Sequence, residues 1–235
     1  MFYIFLLLGL IFGSFLNVLI FRLPKNLSII YPPSHCLFCG KSLQWYHNIP
    51  LLSYIFLKGK SHCCGKVISI QYPLVETLSM ILWLWSYYYI PDISTKLLFL
   101  ILSSLLLVII FTDYRYFIIP IELNITMFFS ILIYKIYNSI VIFDNLLYMI
   151  IILTSFILIV LLTTYLMKKD TMGYGDIVLI GVIGFWLTWV DILIIIFFSC
   201  ILSLIQWSLI YLKTRKKNIQ LPFGSALSFT TIIYY

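Results

Sequence analysis

The sequence has few charged residues. Only 10% of its 235 residues are charged and 63% are hydrophobic, with a mean hydropathy of +1.10. A soluble domain carries about 25% charged residues, so this deficit excludes an ordinary soluble fold. It predicts an all-α polytopic membrane protein. The first apolar run, residues 2–20, also lacks the charged segment of a cleavable signal peptide, so we expect it to be retained as a span.

Apolar runs separated by short polar segments follow almost the whole chain. A helix needs about 20 residues to cross the hydrocarbon core, with a range of about 17–25. The sequence predicts about eight such spans, and two of them, 97–112 and 177–190, are short. Lys135 falls within a third span, where we expect its ammonium group to reach the membrane interface. The spans are residues 2–20, 74–90, 97–112, 123–142, 146–167, 177–190, 192–212 and 219–235.

Basic residues are distributed unevenly between the two sides of these spans. If the hydrophilic loop 21–73 is cytoplasmic, thirteen basic residues lie inside and only Lys96 and Lys135 lie outside. Cytoplasmic loops carry an excess of lysine and arginine, so the net charge of +7 indicates orientation and does not indicate a nucleic-acid partner. The thirteen are Arg22, Lys25, Lys41, Lys58, Lys60, Lys66, Arg115, Lys168, Lys169, Lys213, Arg215, Lys216 and Lys217.

Two aspartates end short apolar runs on the same predicted cytoplasmic side. Asp113 follows one run, and Asp176 closes the sequence Met-Gly-Tyr-Gly-Asp. An ionisable group at membrane depth indicates a functional site, and Gly173 and Gly175 would leave an open approach for a substrate. The competing interpretations are structural. Asp176 could cap a helix that begins at residue 177, and Asp113 could be an interfacial carboxylate.

Together the two aspartates would support hydrolysis. Two carboxylates held close cannot both ionise easily, so they share one proton. One then acts as a base on water while the protonated one polarises the scissile carbonyl. A Ser–His–Asp set is not predicted, because all three histidines lie in the loop 21–73.

Four of the five cysteines lie in the same loop. Cys36 and Cys39 have the C-x-x-C spacing, and Cys63 and Cys64 are adjacent and precede a glycine. In a cytoplasmic loop this clustering favours a bound metal over disulfides. The alternative is that the cysteines are reduced and bind no metal.

These features resemble the type IV prepilin peptidases, membrane aspartyl proteases of the GxGD group. The resemblance covers nearly the whole chain. It is carried by Gly13-Ser-Phe-Leu-Asn17 through Arg22-Leu-Pro24, Cys36-x-x-Cys39, Asn48-Ile-Pro50, Leu57-Lys-Gly59, Tyr72-Pro-Leu-Val-Glu76, Asp113 with Ile119-Pro120, Met172-Gly-Tyr-Gly-Asp176 and Pro222-Phe-Gly224.

The resemblance implies that Asp113 and Asp176 cleave the leaders of prepilins or pseudopilins after a glycine. It places the enzyme in the bacterial cytoplasmic membrane, with its active site on the cytoplasmic face. Many members also methylate the new N-terminus with S-adenosylmethionine. By this resemblance, residues 1–76 hold the first span, the cysteine loop and the part tied to methylation, and residues 77–235 form the peptidase core.

The resemblance also implies a structural zinc ion in the cysteine loop, and here the sequence departs from the family. Ser61 stands where the first thiolate of a second C-x-x-C pair is expected. Zinc takes four nitrogen or sulfur donors, so the fourth ligand would be Cys63 or His62, unless zinc is weakly bound or absent. The predicted set is Cys36, Cys39, Cys64 and Cys63.

Two other classes of protein compete with the protease. A proton-coupled transporter could use the two aspartates as a relay. A relay would also place acids along a path across the membrane, yet Asp92, Asp144 and Asp191 lie in the opposite loops. A membrane adaptor held by zinc, without catalysis, would leave the GxGD sequence unexplained.

Overall fold

The computed structural model describes residues 1–168, 172–215 and 220–235, and within these ranges it contains helices and no strand. The predicted all-α class is therefore confirmed. Three basic residues used above for orientation, Lys169, Lys216 and Lys217, lie outside the described residues. The helices are α1 (Phe2–Arg22), α2 (Leu52–Phe56), α3 (Gln71–Tyr89), α4 (Ile93–Tyr116), α5 (Ile121–Tyr137), α6 (Ile142–Met167), α7 (Tyr174–Trp186), α8 (Trp189–Thr214) and α9 (Phe223–Tyr234).

Each predicted span coincides with a helix, namely α1 and α3 to α9. Among the described residues, four helices are long and apolar enough to cross a membrane: Phe2–Lys25, Ile93–Tyr116, Ile142–Met167 and Trp189–Lys213. The helices α7 and α9 are apolar but have only 13 and 12 residues.

The prediction that the fourth helix is short is wrong. This helix has 24 residues and continues past Asp113 to Tyr116. It begins earlier than its apolar run because the Asp92 carboxylate accepts a hydrogen bond from Thr95 N at 2.7 Å. An aspartate in that position satisfies an otherwise free N–H group at the helix start.

The chain divides into two compact units, Met1–Val108 and Ile109–Tyr235. In the first unit, α1 packs along α3 through small residues. A Cβ on Gly9 would lie 2.8 Å from the Met80 Cα, and one on Gly13 would lie 2.6 Å from the Glu76 Cα. These glycines therefore allow the two helix backbones to approach closely, as small residues do in membrane helices.

Two buried charged side chains hold the loop between α1 and α3. The Arg22 guanidinium donates to the carbonyl oxygens of Ser28 at 2.8 Å and Pro32 at 2.6 Å. The Glu76 carboxylate accepts from the backbone N–H of Leu51 at 2.8 Å. Leu51 has a φ of 58°, a conformation that a leucine rarely adopts, so this hydrogen bond helps to fix the loop.

In the second unit, α7 is the most enclosed helix, and its neighbours pack on its glycines. A Cβ on Gly181 would lie 2.6 Å from the Leu153 Cδ2, and one on Gly184 would lie 2.9 Å from the Ile152 Cδ1. On another face, the Phe185 ring lies 4.9 Å from the Phe128 ring of α5. This packing fixes the position of the α7 N-terminus, which carries Asp176.

The Lys135 side chain packs inside the protein, and its position at the membrane interface stays a prediction. Its side chain is only 5% exposed, and its Nζ lies 5.6 Å from the centre of the Phe185 ring. An aromatic face attracts a cation, and this attraction is stronger where water is excluded. The fully buried Phe185 supplies such a face, so Lys135 packs inward.

Candidate active site and cysteine cluster

Asp113 lies in the last turn of α4, and its carboxylate meets the N-terminus of α9. It is 6% exposed, and its Oδ2 accepts a hydrogen bond from the backbone N–H of Ser225 at 2.7 Å. The Gly224 backbone also interacts with this carboxylate. The N-terminus of a helix presents free N–H groups and a positive partial charge, so it stabilises a negative charge at this point.

Asp176 lies in the first turn of α7. The helix begins at Tyr174, with Gly173 as its N-cap residue, and Asp176 N donates to Gly173 O at 3.1 Å. The alternative that Asp176 itself caps a helix from residue 177 is therefore wrong. The helix starts three residues earlier, because Tyr174 and Gly175 already belong to it and the extended Gly173 precedes it.

The two carboxylates converge on Gly224. A Cβ at this glycine would lie 3.0 Å from Asp176 Oδ1 and 3.2 Å from Asp113 Oδ2. It would also lie 2.5 Å from the Cδ1 of Ile119. A side chain at this position would therefore press against both acids, and the glycine allows the two carboxylates to lie close to the same point. The Oδ1 atom of Asp176 is buried and has no hydrogen-bond partner within the part of the chain that is described.

The two glycines of the Gly-Tyr-Gly-Asp sequence occupy different surroundings. A Cβ at Gly175 would lie 2.9 Å from the Ile119 Cβ, so this glycine is needed for packing. Gly173 is exposed, and a Cβ there would lie 3.2 Å from Asp176 Oδ2. A side chain at either position would therefore disturb the acid site. The role of Gly173 and Gly175 in substrate approach stays a prediction.

Sequence reasoning missed the roles of Gly224 and Ser225. In the sequence, the Pro-Phe-Gly segment indicates only the family resemblance. A usable signal was present, because Pro222 precedes the first residue of α9 and marks a helix start. A helix start after a proline supplies free N–H groups, and a buried carboxylate elsewhere in the chain needs such donors.

The cysteine loop contains two copies of one turn. In the first, Cys36 N donates to Lys41 O and Gly40 N donates to Cys36 O, both at 2.9 Å. In the second, Ser61 N donates to Lys66 O and Gly65 N donates to Ser61 O, both at 2.8 Å. The glycines have φ values of 71° and 68°, which disfavour other residues. The repeated backbone therefore places Ser61 at the position that Cys36 holds in the first turn.

The two turns bring four thiols together. The sulfur atoms of Cys36, Cys39, Cys63 and Cys64 all lie within 4.8 Å of one another. The Cys36 and Cys64 sulfurs are 3.7 Å apart, close to the separation of about 3.8 Å that follows from Zn–S bonds of about 2.3 Å in a tetrahedron. Cys63 joins this cluster and the His62 ring does not, so the arrangement favours Cys63 over His62 as the fourth ligand.

Ser61 remains inside the cluster although its side chain is a weak zinc ligand. Its Oγ lies 3.3 Å from the Cys36 sulfur and 3.1 Å from the Cys63 sulfur. The Ser61 hydroxyl stabilises the thiolate and lowers the pKa of Cys36 to about 6. The hydrogen bond with Cys63 raises the pKa of Cys39 to about 11. The thiols thus differ in how readily they ionise for metal binding.

A buried acid and a half-buried acid that meet at a helix N-terminus, in a chain of apolar helices, are characteristic of a membrane-embedded aspartyl protease. The comparisons with known proteins agree. Residues 7–90 match the bacterial peptidase A24 N-terminal domain, and residues 100–208 match the type IV leader peptidase family. The chain belongs to the type IV leader peptidase family, which confirms the predicted peptidase class.

Curated relatives cover most of this chain. Two are named prepilin leader peptidase/N-methyltransferase. One, from Pectobacterium carotovorum, is 30% identical over 92% of this chain and 85% of its own length. The other, from Xanthomonas campestris, is 32% identical over 94% and 86%. A relative of the same name from Myxococcus xanthus is 33% identical over 89% of this chain, which spans 63% of that protein. No solved structure matches the chain significantly.

Proposed function

We propose that this protein is a membrane aspartyl endopeptidase that removes the leader of type IV prepilins or pseudopilins. The observation that carries the proposal is the convergence of Asp113 and Asp176 on Gly224, where a side chain would press against both acids. Two carboxylates this close to one point can share a proton and act together on one water molecule and one peptide bond. The names of the relatives supply the substrate class.

The surroundings of the two acids suggest different roles. Asp113 receives an N–H hydrogen bond from Ser225, and hydrogen bonds to the charged form favour ionisation. Asp176 Oδ1 is a buried oxygen without a donor among the described residues. We assign Asp113 as the base that activates water. Asp176 then holds the shared proton and polarises the scissile carbonyl.

Cleavage after a glycine is proposed from the family resemblance. The test is incubation of the purified protein with a prepilin, followed by mass spectrometry of the products. We expect a mature chain that begins immediately after a glycine of the leader. A product cut elsewhere, or uncut substrate, would refute this function. The same spectrum would show N-methylation as a mass increase of about 14 Da, because each methyl transfer adds one CH₂.

Membrane topology is the next part of the proposal. We propose that α1 and α3 to α9 form eight spans and that Asp113 and Asp176 face the cytoplasm of a bacterial plasma membrane. The four long apolar helices and the charge distribution support this arrangement. The short α7 would leave Asp176 at a hydrated position, where water can reach the acid pair.

Cysteine labelling in intact cells tests the topology. Labels at Lys41 and Lys168 should react only after the membrane is permeabilised, as should a label at Lys216, which lies outside the described residues. Labels at Asp92 and Asp191 should react from the outer side. If positions 113 and 176 were labelled from opposite sides, both the topology and the acid pair would be refuted.

We further propose that one structural zinc ion binds Cys36, Cys39, Cys63 and Cys64. The clustered thiols fit this ion, and they would supply its four sulfur donors. Methylation with S-adenosylmethionine is proposed from the resemblance alone. By the same resemblance, residues 1–76 are the region associated with methylation, and residues 77–235 form the peptidase core.

The transporter alternative receives less support from the geometry. A relay requires acids at successive depths, whereas Asp113 and Asp176 converge at one point. The other acids examined for a relay, Asp92, Asp144 and Asp191, are consistent with helix starts. Asp191, for example, forms a capping box with Thr188 at the start of α8.

A further inference from the structure

A groove in the second unit begins beside the acid pair. It encloses about 310 Å³ between α4, α8 and α9. The wall from α8 consists of Leu202, Ile205, Gln206 and Leu209. This spacing of three and four residues places all four on one face of the helix. The groove is therefore a continuous strip about two helical turns long.

The groove adjoins Asp113 through two residues. Ser225 lines it, and the same residue donates its N–H to Asp113. Tyr114, which follows Asp113 in α4, lines it as well. A peptide whose scissile bond reaches Asp113 must place the residues on one side of that bond close to this groove.

The lining of the groove is mostly apolar, but it includes the amide side chain of Gln206. Gln206 lies on α8, and its Oε1 is buried and receives no hydrogen bond from the residues that the structure describes. An unsatisfied amide oxygen is costly in an apolar environment. It is ready to accept a hydrogen bond from a ligand that carries an N–H group.

The chemistry of cleavage supplies such an N–H group. A protease needs its substrate extended at the scissile bond, so a membrane helix must be unwound there. Where the helix resumes, its first four N–H groups have no partner within the helix. In a bilayer each such group is unfavourable unless another group accepts a hydrogen bond from it.

We propose that this groove binds the first apolar helical turns that follow the scissile bond, and that Gln206 Oε1 accepts a hydrogen bond from one of their free N–H groups. The inference rests on the proposed peptidase function and assigns its substrate-binding site. The apolar side chains of Leu202, Ile205 and Leu209 contact the substrate helix, as in other helix-in-groove complexes. Gln206 fixes where the substrate helix begins, and so which bond reaches the acids.

Two variants test the groove. Gln206→Leu removes the acceptor at similar size, and Leu209→Trp fills the groove. The two substrates are a full-length prepilin and a short peptide that ends two residues after the scissile bond. We expect each variant to lower kcat/KM for the prepilin by about tenfold more than for the peptide. Gln206→Leu removes one hydrogen bond to the substrate helix, and Leu209→Trp blocks the groove that binds it. The assay uses the full-length enzyme in detergent or nanodiscs. Leu204→Trp is the matched control, because Leu204 and Leu209 are both 63% exposed on α8 and Leu204 does not line the groove.

Cross-linking gives an independent measurement that does not depend on activity. A photoreactive phenylalanine analogue at Phe229, which lines the groove, should cross-link to residues that follow the scissile bond. The same analogue at Phe198, an exposed phenylalanine of α8 outside the groove, should not. Mass spectrometry of the cross-linked peptides identifies the substrate residues.

The outcomes separate this inference from the proposed function. If the wild-type protein cleaves prepilin but the groove variants lose both substrates equally, the groove has no part in recognition. Cross-links at Phe229 to lipid alone would also overturn it. If the wild-type protein cleaves neither substrate, the proposed peptidase function fails first.

Discussion

The cysteine loop and the acid site are built in different ways. In the loop, each turn is closed by hydrogen bonds between residues at most five apart, such as Cys36 and Lys41. At the acid site, Asp113, Asp176 and Gly224 come from three helices far apart in the chain. The loop can therefore exchange one ligand for another while its backbone turn persists. The acid site depends on the simultaneous packing of α4, α7 and α9.

This difference predicts where single substitutions do most damage. The loop has two turns with the same backbone although Ser61 stands where the first turn has a thiol, and Cys63 lies within the cluster of sulfur atoms. At the acid site, the described residues include no further carboxylate beside Gly224 that could replace Asp113 or Asp176. Changes at the acids should therefore abolish activity, and changes at the cysteines should weaken it.

The largest effect is expected for the acids. Asp113→Asn and Asp176→Asn should each lower the rate of prepilin cleavage by about 10³-fold or more, because neither amide can share the proton. Initial rates with purified proteins measure this. Asp144→Asn, which changes an exposed acid in the first turn of α6, is the control and should keep the wild-type rate.

Near-wild-type cleavage by either Asn variant would remove that aspartate from the mechanism. Both variants should also insert and unfold as the wild-type protein does, since asparagine has nearly the same size. A variant that fails to insert would show that the carboxylate is structural.

A smaller but still large effect is expected at Gly224. Gly224→Ala places a Cβ 3.0 Å from Asp176 Oδ1 and 2.5 Å from the Ile119 Cδ1, so Ile119 and the acids must shift to admit it. We expect a loss of cleavage of about 10–100-fold, in line with the effect of displacing a catalytic group by about 1 Å. Initial rates of prepilin cleavage by the purified variant measure this loss.

Gly40→Ala, in the cysteine loop, is the contrasting change. Nothing lies within 4 Å of the new Cβ, and only the φ of 71° opposes it. It should lower metal affinity more than cleavage. Equal losses of cleavage from the two alanine variants would contradict the difference between the two regions.

Much of the fold follows from the sequence because apolar runs mark helices directly. The eight runs match eight helices, but their ends were less predictable. The first residues of α7 are glycine and tyrosine, which are poor markers of a helix, so Asp176 looked like a cap. The end of α4 was missed because Asp113 and Arg115 interrupt an apolar run without ending the helix.

The acid site was only partly predictable, and the reason is physical. Asp113 and Asp176 are recognisable because a carboxylate is rare in an apolar helix. The importance of Gly224 is visible only once α4, α7 and α9 are packed together. It lacks a side chain at the point where Asp113 and Asp176 meet. The inward position of Lys135 depends likewise on Phe185, which lies 50 positions away in the sequence.

The smallest effect on cleavage is expected in the cysteine loop. Cys36→Ser removes one thiolate, so the zinc content of the purified protein should fall from one ion per chain towards zero. Peptidase activity should fall by less than about tenfold, because the acids lie on other helices. Any methyltransferase activity should fall further. Metal analysis after chelator-free, reducing purification measures the first effect, and zinc-free wild-type protein would contradict the assignment.

Ser61→Cys should have the opposite effect in the same loop. It restores a thiol at the second turn, where the backbone already matches that of Cys36. We expect tighter zinc binding, measured by competition with a chelator, and no change in cleavage. Weaker binding would indicate that Cys63 already completes the tetrahedron and that a fifth thiol disturbs it.

The central claim is that Asp113 and Asp176 act as one unit, and a double-mutant cycle tests it most directly. The rates of prepilin cleavage are compared for wild type, Asp113→Asn, Asp176→Asn and the double variant, with long incubations and mass-spectrometric detection. Groups that share one proton lose their function together, so the double variant should be at most about tenfold slower than the slower single variant. A loss in the double variant equal to the product of the two single losses would show that the aspartates act independently, and would contradict the account.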